Sequence, residues 1–265
     1  MFGTPRLNSA ARLLTIALAV GLIAAACGGD EAADTTTTTG APATTTSAPT
    51  TTTTTTGPAS TTTTLSGSTT TTLPGEAVDF GPTAGDVLGV VAIAHDDVLN
   101  LRAGPGTDFD VLKKMGARSD RVIANGRAQA LPNSVWYEVT FAGATGWASS
   151  SYLAYAGPTD DITSSVIATL GETPSAETMA DLGLMVTGAF PPVERPLRVR
   201  MSGAPSVGDV GEVIYDVVGF ADDSVIGLRL HVFGQPTAGG EGFSLMSVEA
   251  TSLCSRGLTA EGLCI

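Results

Sequence analysis

Leu99-Asn100-Leu101-Arg102-Ala103-Gly104-Pro105-Gly106-Thr107-Asp108-Phe109 alternates apolar and polar side chains over its first four residues and then breaks at Gly-Pro-Gly. Period-two alternation marks a strand with one buried face. Pro105 fixes φ between two glycines that tolerate angles a Cβ opposes, so the loop after the strand is rigid. Working outward, VLGVVAIA (Val87–Ala94) reads as a preceding strand, set off by the turn residues His95-Asp96-Asp97. Beyond the loop, VLKKMG, SVWYEVTF (Ser134–Phe141) and GWASSSYL supply two further strands and a closing strand with its turn. Short strands packed into about 70 residues predict a small, partly closed β-barrel. Arg121–Ser134 reads as a long, basic, insertion-like loop between them.

The same elements, taken in order, resemble the bacterial SH3 (SH3b) domain over residues 86–155. They are Leu99–Phe109, Val111-Leu112, Trp136-Tyr137-Glu138-Val139, Gly143-Ala144-Thr145-Gly146-Trp147-Ala148 and Tyr152-Leu153. The resemblance implies an SH3-like barrel that binds the cell wall, commonly through peptidoglycan stem peptides or cross-bridges. It makes the aromatics Phe109, Trp136, Tyr137, Trp147 and Tyr152 the ligand contacts, with Asp108 as a polar handle. Each tryptophan is expected to be half core and half surface, since its ring and its N–H have different needs. Arg102 is read as a structural tie to loop carbonyls in preference to a ligand contact.

Residues 1–85 contribute nothing to such a core. Arg6 and Arg12 precede an apolar or small run, Leu13–Ala26, of about fourteen residues that ends in Ala24-Ala25-Ala26 and Cys27. A basic start, a short apolar stretch and a small-residue cleavage site make residues 1–26 an export signal. The run is shorter than the roughly 20 apolar residues of a comfortable membrane span. Cleavage directly before Cys27 resembles the lipobox of bacterial lipoproteins, which implies lipid attachment at Cys27 and a chain held on the extracytoplasmic face of the membrane. Residues 27–85 are dominated by Thr, Ser, Ala, Gly and Pro and read as a disordered stalk, bare or O-glycosylated. About 45 such residues span roughly 35–40 Å as a coil.

After Gly157-Pro158 the character changes again, and residues 156–265 read as an α+β domain: a helix followed by an antiparallel strand meander. Ser175 is the expected N-cap of AETMADLGLMVTGAF, with Met179, Leu182 and Val186 on one helical face. Strands are expected at Leu197–Ser202, Glu212–Gly219, Val225–Phe233 and Phe243–Leu253, the third with Ile226, Leu228, Leu230 and Val232 alternating inward. With Cys27 assigned to lipid, Cys254 and Cys264 remain as an even pair with Gly257 and Gly262 between them. An exported chain favours a disulfide over two free thiols.

Charge narrows the function classes. The net charge is −13, and residues 156–265 carry 14 acidic against 5 basic side chains while residues 86–155 carry 7 against 6. Without a basic stripe the chain is not a nucleic-acid binder. HExxH, GxSxG, SxxK and phosphate-binding glycine loops are absent from the sequence. The aspartate doublets at residues 96, 160 and 222 sit at strand boundaries as turn residues, and His95 and His231 have no metal-ligand spacing to the cysteines. No catalytic residue, metal or cofactor is assigned. The expected function is that of a non-enzymatic, lipid-anchored envelope binding protein whose partners are the membrane, through Cys27, and peptidoglycan or an envelope protein. An accessory cell-wall hydrolase with its active site in the C-terminal domain, and a structural spacer, are the alternatives.

Overall fold

A computed structural model describes residues 72–192 and 194–265, which lie in the compact unit Ser66–Ile265. The stretch read as an export signal, Cys27 and the Thr-rich stretch up to residue 71 lie outside the described residues. The strands are β1 (Glu76–Val78), β2 (Val87–Val90), β3 (Val98–Arg102), β4 (Val111–Gly116), β5 (Val122–Leu131), β6 (Ser134–Phe141), β7 (Ala144–Ser149) and β8 (Leu153–Asp161). Helix α1 (Thr163–Leu170), β9 (Ser175–Ala176), helix α2 (Met179–Thr187), β10 (Arg198–Val207), β11 (Gly211–Val218), β12 (Val225–Pro236) and β13 (Phe243–Cys254) follow. The fold is therefore mostly antiparallel sheet with two helices among the described residues, neither long and apolar enough to cross a membrane.

Closure of residues 86–155 into a barrel, expected from the strand pattern, does not occur. The hydrogen-bonded path is open, β10-β11-β12-β13-β8-β2-β5-β6-β7-β3-β4. The reason lies in β8. Its first residues pair with β2, as Leu153 with Val90 and Ala154 with Gly89, and its later residues pair with β13, as Thr159 with Thr251 and Asp161 with Glu249. A strand that would close a small barrel instead carries the sheet into the C-terminal half.

Three further expectations shift. Arg121–Ser134 is not a loop: it supplies β5, whose register slips between Ala124 and Ala128. Gly126, at φ +74°, lets Asn125-Gly126-Arg127 bulge out without ending the strand. β1 lies inside the stretch read as stalk and pairs Glu76–Val78 with Ala128–Ala130. The N-cap of α2 is Thr178, whose Oγ1 accepts the Asp181 N–H at 3.1 Å, while Ser175 pairs with Ser244 of β13. Helix α1 is rich in β-branched residues, which weakens its sequence signature. It ends at Gly171 in the left-handed region, φ +84°.

Two cores flank the junction. Leu88, Val90, Leu99, Leu101, Met115, Val122 and Val139 fill the first, joined by Cys254 from the end of β13. The second gathers Met179, Leu182 and Val186 of α2 against Val213, Tyr215, Leu230, Val232 and Val248 of the meander. Gly183 sets the spacing of that helix, since a Cβ there would lie 2.6 Å from both Tyr215 and Val213. Between the cores, Val91, Ala92, Ala154, Val218 and Leu253 form a third cluster.

An ion pair of the C-terminal half reaches the backbone on the other side of the same junction. Asp216 and Arg229, directly opposite in β11 and β12, meet through Nε–Oδ1 at 2.7 Å and Nη2–Oδ2 at 2.9 Å. The fully buried Asp216 also accepts the Ala92 N–H at 2.8 Å and the Ser202 hydroxyl at 3.0 Å, and Arg229 donates to the Val90 carbonyl at 2.8 Å. Ala92 sits at φ +55°, a conformation unusual for a residue with a Cβ, held by that contact. Cys254 and Cys264 form a disulfide, with Cα atoms 5.2 Å apart.

Candidate functional site

The alternation first read in LNLR decides which side chains meet on β3. Leu99 and Leu101 enter the first core, so Asn100 and Arg102 face the other side of the sheet. Strand β6 divides likewise: Val139 is core and Tyr137 packs against it, while Trp136 and Glu138 take the opposite face. Register then stacks that second face into cross-strand rows. Gln129, Trp136 and Ser149 are direct partners in one row, and Glu138, Trp147 and Arg102 in the next.

A groove of about 350 Å³ opens on this face, lined by Asp97, Asn100, Arg102, Trp136, Ser149 and Tyr152, among others. Its polar atoms are unequally satisfied. Trp136 donates its Nε1–H to the Ser134 hydroxyl at 2.9 Å, and Arg102 donates from Nη1 to the carbonyls of Thr107 at 2.9 Å and Phe109 at 2.8 Å. By contrast, the buried Oδ1 of Asn100, in the lining, accepts no hydrogen bond, and neither does Oε1 of Gln129, the cross-strand partner of Trp136 outside the lining. An unpartnered buried carbonyl costs about 1–3 kcal/mol, a cost that an N–H donor reaching Asn100 would relieve.

Of the six predicted ligand contacts, Trp136 and Tyr152 share this groove and the other four do not line it. Trp147 is 3% exposed and Trp136 6%, so neither ring is the half-surface platform expected. Trp147 lies under the Arg127 guanidinium, 5.4 Å from its centroid, and Arg127 is held by Glu138 at 2.8 Å. That cation roof comes from the bulge in β5, which the sequence reading treated as a loop. Tyr137 faces the first core on the other side of the sheet, where burial pushes its phenol above the ordinary range. Phe109 is half-buried against the backbone of Gly104, and Asp108 is exposed on the loop beside it. Arg102 has the tying role expected of it. Asn100 was missed as a site residue, although its position between Leu99 and Leu101 is the signal that places it opposite the core.

The glycines of the motif have a packing cause. A Cβ on Gly146 would stand 2.5 Å from the Arg102 carbonyl oxygen and 3.1 Å from Leu101, so β7 meets β3 closely only with glycine there. Gly104 similarly admits the Phe109 ring.

Elsewhere, His231 meets Glu212 at 3.1 Å and packs on Phe233 with ring centroids 4.1 Å apart. Hydrogen bonds from Ser206, first, and His231 hold the Glu212 carboxyl below its ordinary range. Asp222 accepts the Ser224 and Val225 N–H groups, both at 2.7 Å, as a turn residue does. No three His, Cys, Asp or Glu side chains converge on a metal-binding point among the described residues.

Residues 97–154 match the family model of the bacterial SH3 domain. No curated protein and no solved structure matches the chain.

Proposed function

We propose that the chain is an exported, lipid-anchored envelope protein whose bacterial SH3 domain binds peptidoglycan through the groove between Asn100, Trp136 and Tyr152. The observation that carries this reading is the buried, unpartnered amide oxygen of Asn100 in a groove it shares with a tryptophan. Asn100 calls for an N–H donor, and Trp136 and Tyr152 supply apolar edges. A wall stem peptide offers both, amide or amine N–H groups and small apolar side chains. On this reading the protein is not an enzyme, Cys27 carries the lipid, and the Thr-rich stalk sets the distance between membrane and binding domain.

The test is co-sedimentation of the compact unit Ser66–Ile265 with purified peptidoglycan, comparing wild type with Asn100→Val and Tyr152→Ala. Wild type is expected in the pellet and both variants depleted from it. Asn100→Val is also expected to raise stability by about 1 kcal/mol, because it removes an unsatisfied buried acceptor and adds a β-branched side chain to a strand. Loss of binding with a gain in stability separates a ligand role from a fold defect. Wild type that stays in the supernatant removes the wall-binding reading.

A further inference from the structure

We infer that the cleft between Phe190 and Phe220 in the C-terminal half is a binding site for a small amphipathic anion, a compact apolar body carrying a carboxylate or phosphate. The cleft has a volume of about 450 Å³ and is lined mainly by Phe190, Pro191, Leu197 and Phe220. That size lies within the roughly 300–1,000 Å³ of small-molecule sites. The two half-buried rings stand 6.4 Å apart at an interplanar angle of 25°. Pro191 lines the cleft and Pro196 the adjoining hollow, and each ring fixes φ at its own position.

Charge supplies the second half of the recognition. Gly219, Phe220 and Asp222 also line an adjoining hollow of about 390 Å³ that includes Arg195 and Arg198. In a region with 14 acidic and 5 basic side chains, two of the five line this one hollow. Two others are used elsewhere: Arg229 is paired with Asp216, and Arg256 with Asp223. Arg195 and Arg198 form no ion pair among the described residues. Arg198 is positioned by donating to the Ser151 carbonyl at 2.8 Å and by lying 5.2 Å from the centre of the Tyr152 ring, which leaves further N–H donors for an anion. The acid shared by cleft and hollow, Asp222, has its Oδ1 engaged by two backbone N–H groups. An apolar cleft adjoining two arginines selects a ligand with an apolar body and an anionic head.

Monomeric decanoate, below its micelle concentration, is the probe, titrated into the full chain while the Leu197 and Ala221 methyl resonances are followed by NMR. Saturable shifts are expected with decanoate and none with decyltrimethylammonium. Arg195→Gln is expected to weaken decanoate by up to about five-fold, the upper end for one exposed charge contact. Ala221→Trp, at an exposed position lining the cleft, fills it without touching either core and is expected to abolish the shifts. Equal response to the cation and the anion, or an undiminished response in Ala221→Trp, would overturn the proposal. So would shifts produced by anionic vesicles with none from monomeric decanoate, which would assign the arginines to a membrane surface.

Discussion

Asp216 is a single carboxylate with hydrogen-bond partners from two strands and a loop, and its removal tests how much one side chain holds. Asp216→Ala leaves the Arg229 guanidinium unpaired at the junction and strips the Ala92 N–H and the Ser202 hydroxyl of their acceptor. Breaking a buried pair from one side costs about 3–5 kcal/mol. For a unit of about 200 residues that lowers Tm on the order of 10 °C, measurable by calorimetry. Asp86 offers a pH-dependent case. Burial raises its pKa, but hydrogen bonds from the Tyr155 hydroxyl, at 2.7 Å, and from Thr83 outweigh burial and hold the carboxyl below the ordinary range. A depressed carboxylate contributes stability above its unfolded pKa, near 4, and that stability is lost as pH falls through the lower folded value. Tyr155→Phe is therefore expected to lower Tm at pH 7 and to flatten its fall below about pH 4. An unchanged acid limb in a Tm–pH series would refute that linkage.

At the scale of elements, α2 and the C-terminal clasp make opposite demands on intuition. Gly183→Ala improves intrinsic helix propensity by about 1 kcal/mol, yet its Cβ would meet Tyr215 and Val213 at 2.6 Å. Overpacking of this kind typically costs about 1–3 kcal/mol, so the variant is expected to be less stable than wild type by denaturant titration. The clasp ties the last residues to β13, and Cys254 belongs to the first core although it ends the last strand. Reduction, or Cys264→Ser, is expected to lose on the order of 2–3 kcal/mol, the contribution of a bridge closing so short a loop. Much at this scale was legible from sequence. Strands β3, β4, β6, β11, β12 and β13 follow from alternation and turn residues, and the core stripe of α2 from 3.6-residue spacing. Strand β5 was not, because Asn125-Gly126-Arg127 mimics a turn while forming a bulge inside a strand. Helix α1 was also hidden, since its β-branched residues propagate a helix only through packing such as that of Val166 against the second core.

For the whole molecule, residues 86–155 and 156–265 are joined by hydrogen bonds through β8, by those of Asp216 and Arg229 to the backbone of Ala92 and Val90, and by a core cysteine. We expect the isolated 86–155 fragment to lack cooperative unfolding, and Ser66–Ile265 to unfold in one calorimetric transition. Two separated transitions would show that the halves are independent. By itself the sequence determined the Thr-rich stretch as composition, the order of most strands, the residues that match the bacterial SH3 domain and the pairing of the two late cysteines. Each is a local property, written in periodicity, turn chemistry or parity. Only the tertiary structure decided that β8 opens the sheet instead of closing a barrel, and that Asp216 of one half would bind the backbone of the other. It also decided which side of the sheet each tryptophan takes, that Arg127 covers Trp147, and that Asn100 is left without a partner. Those outcomes depend on what lies opposite each residue across strands up to 139 positions apart, and the chemistry of a neighbour that distant leaves no mark on the local pattern.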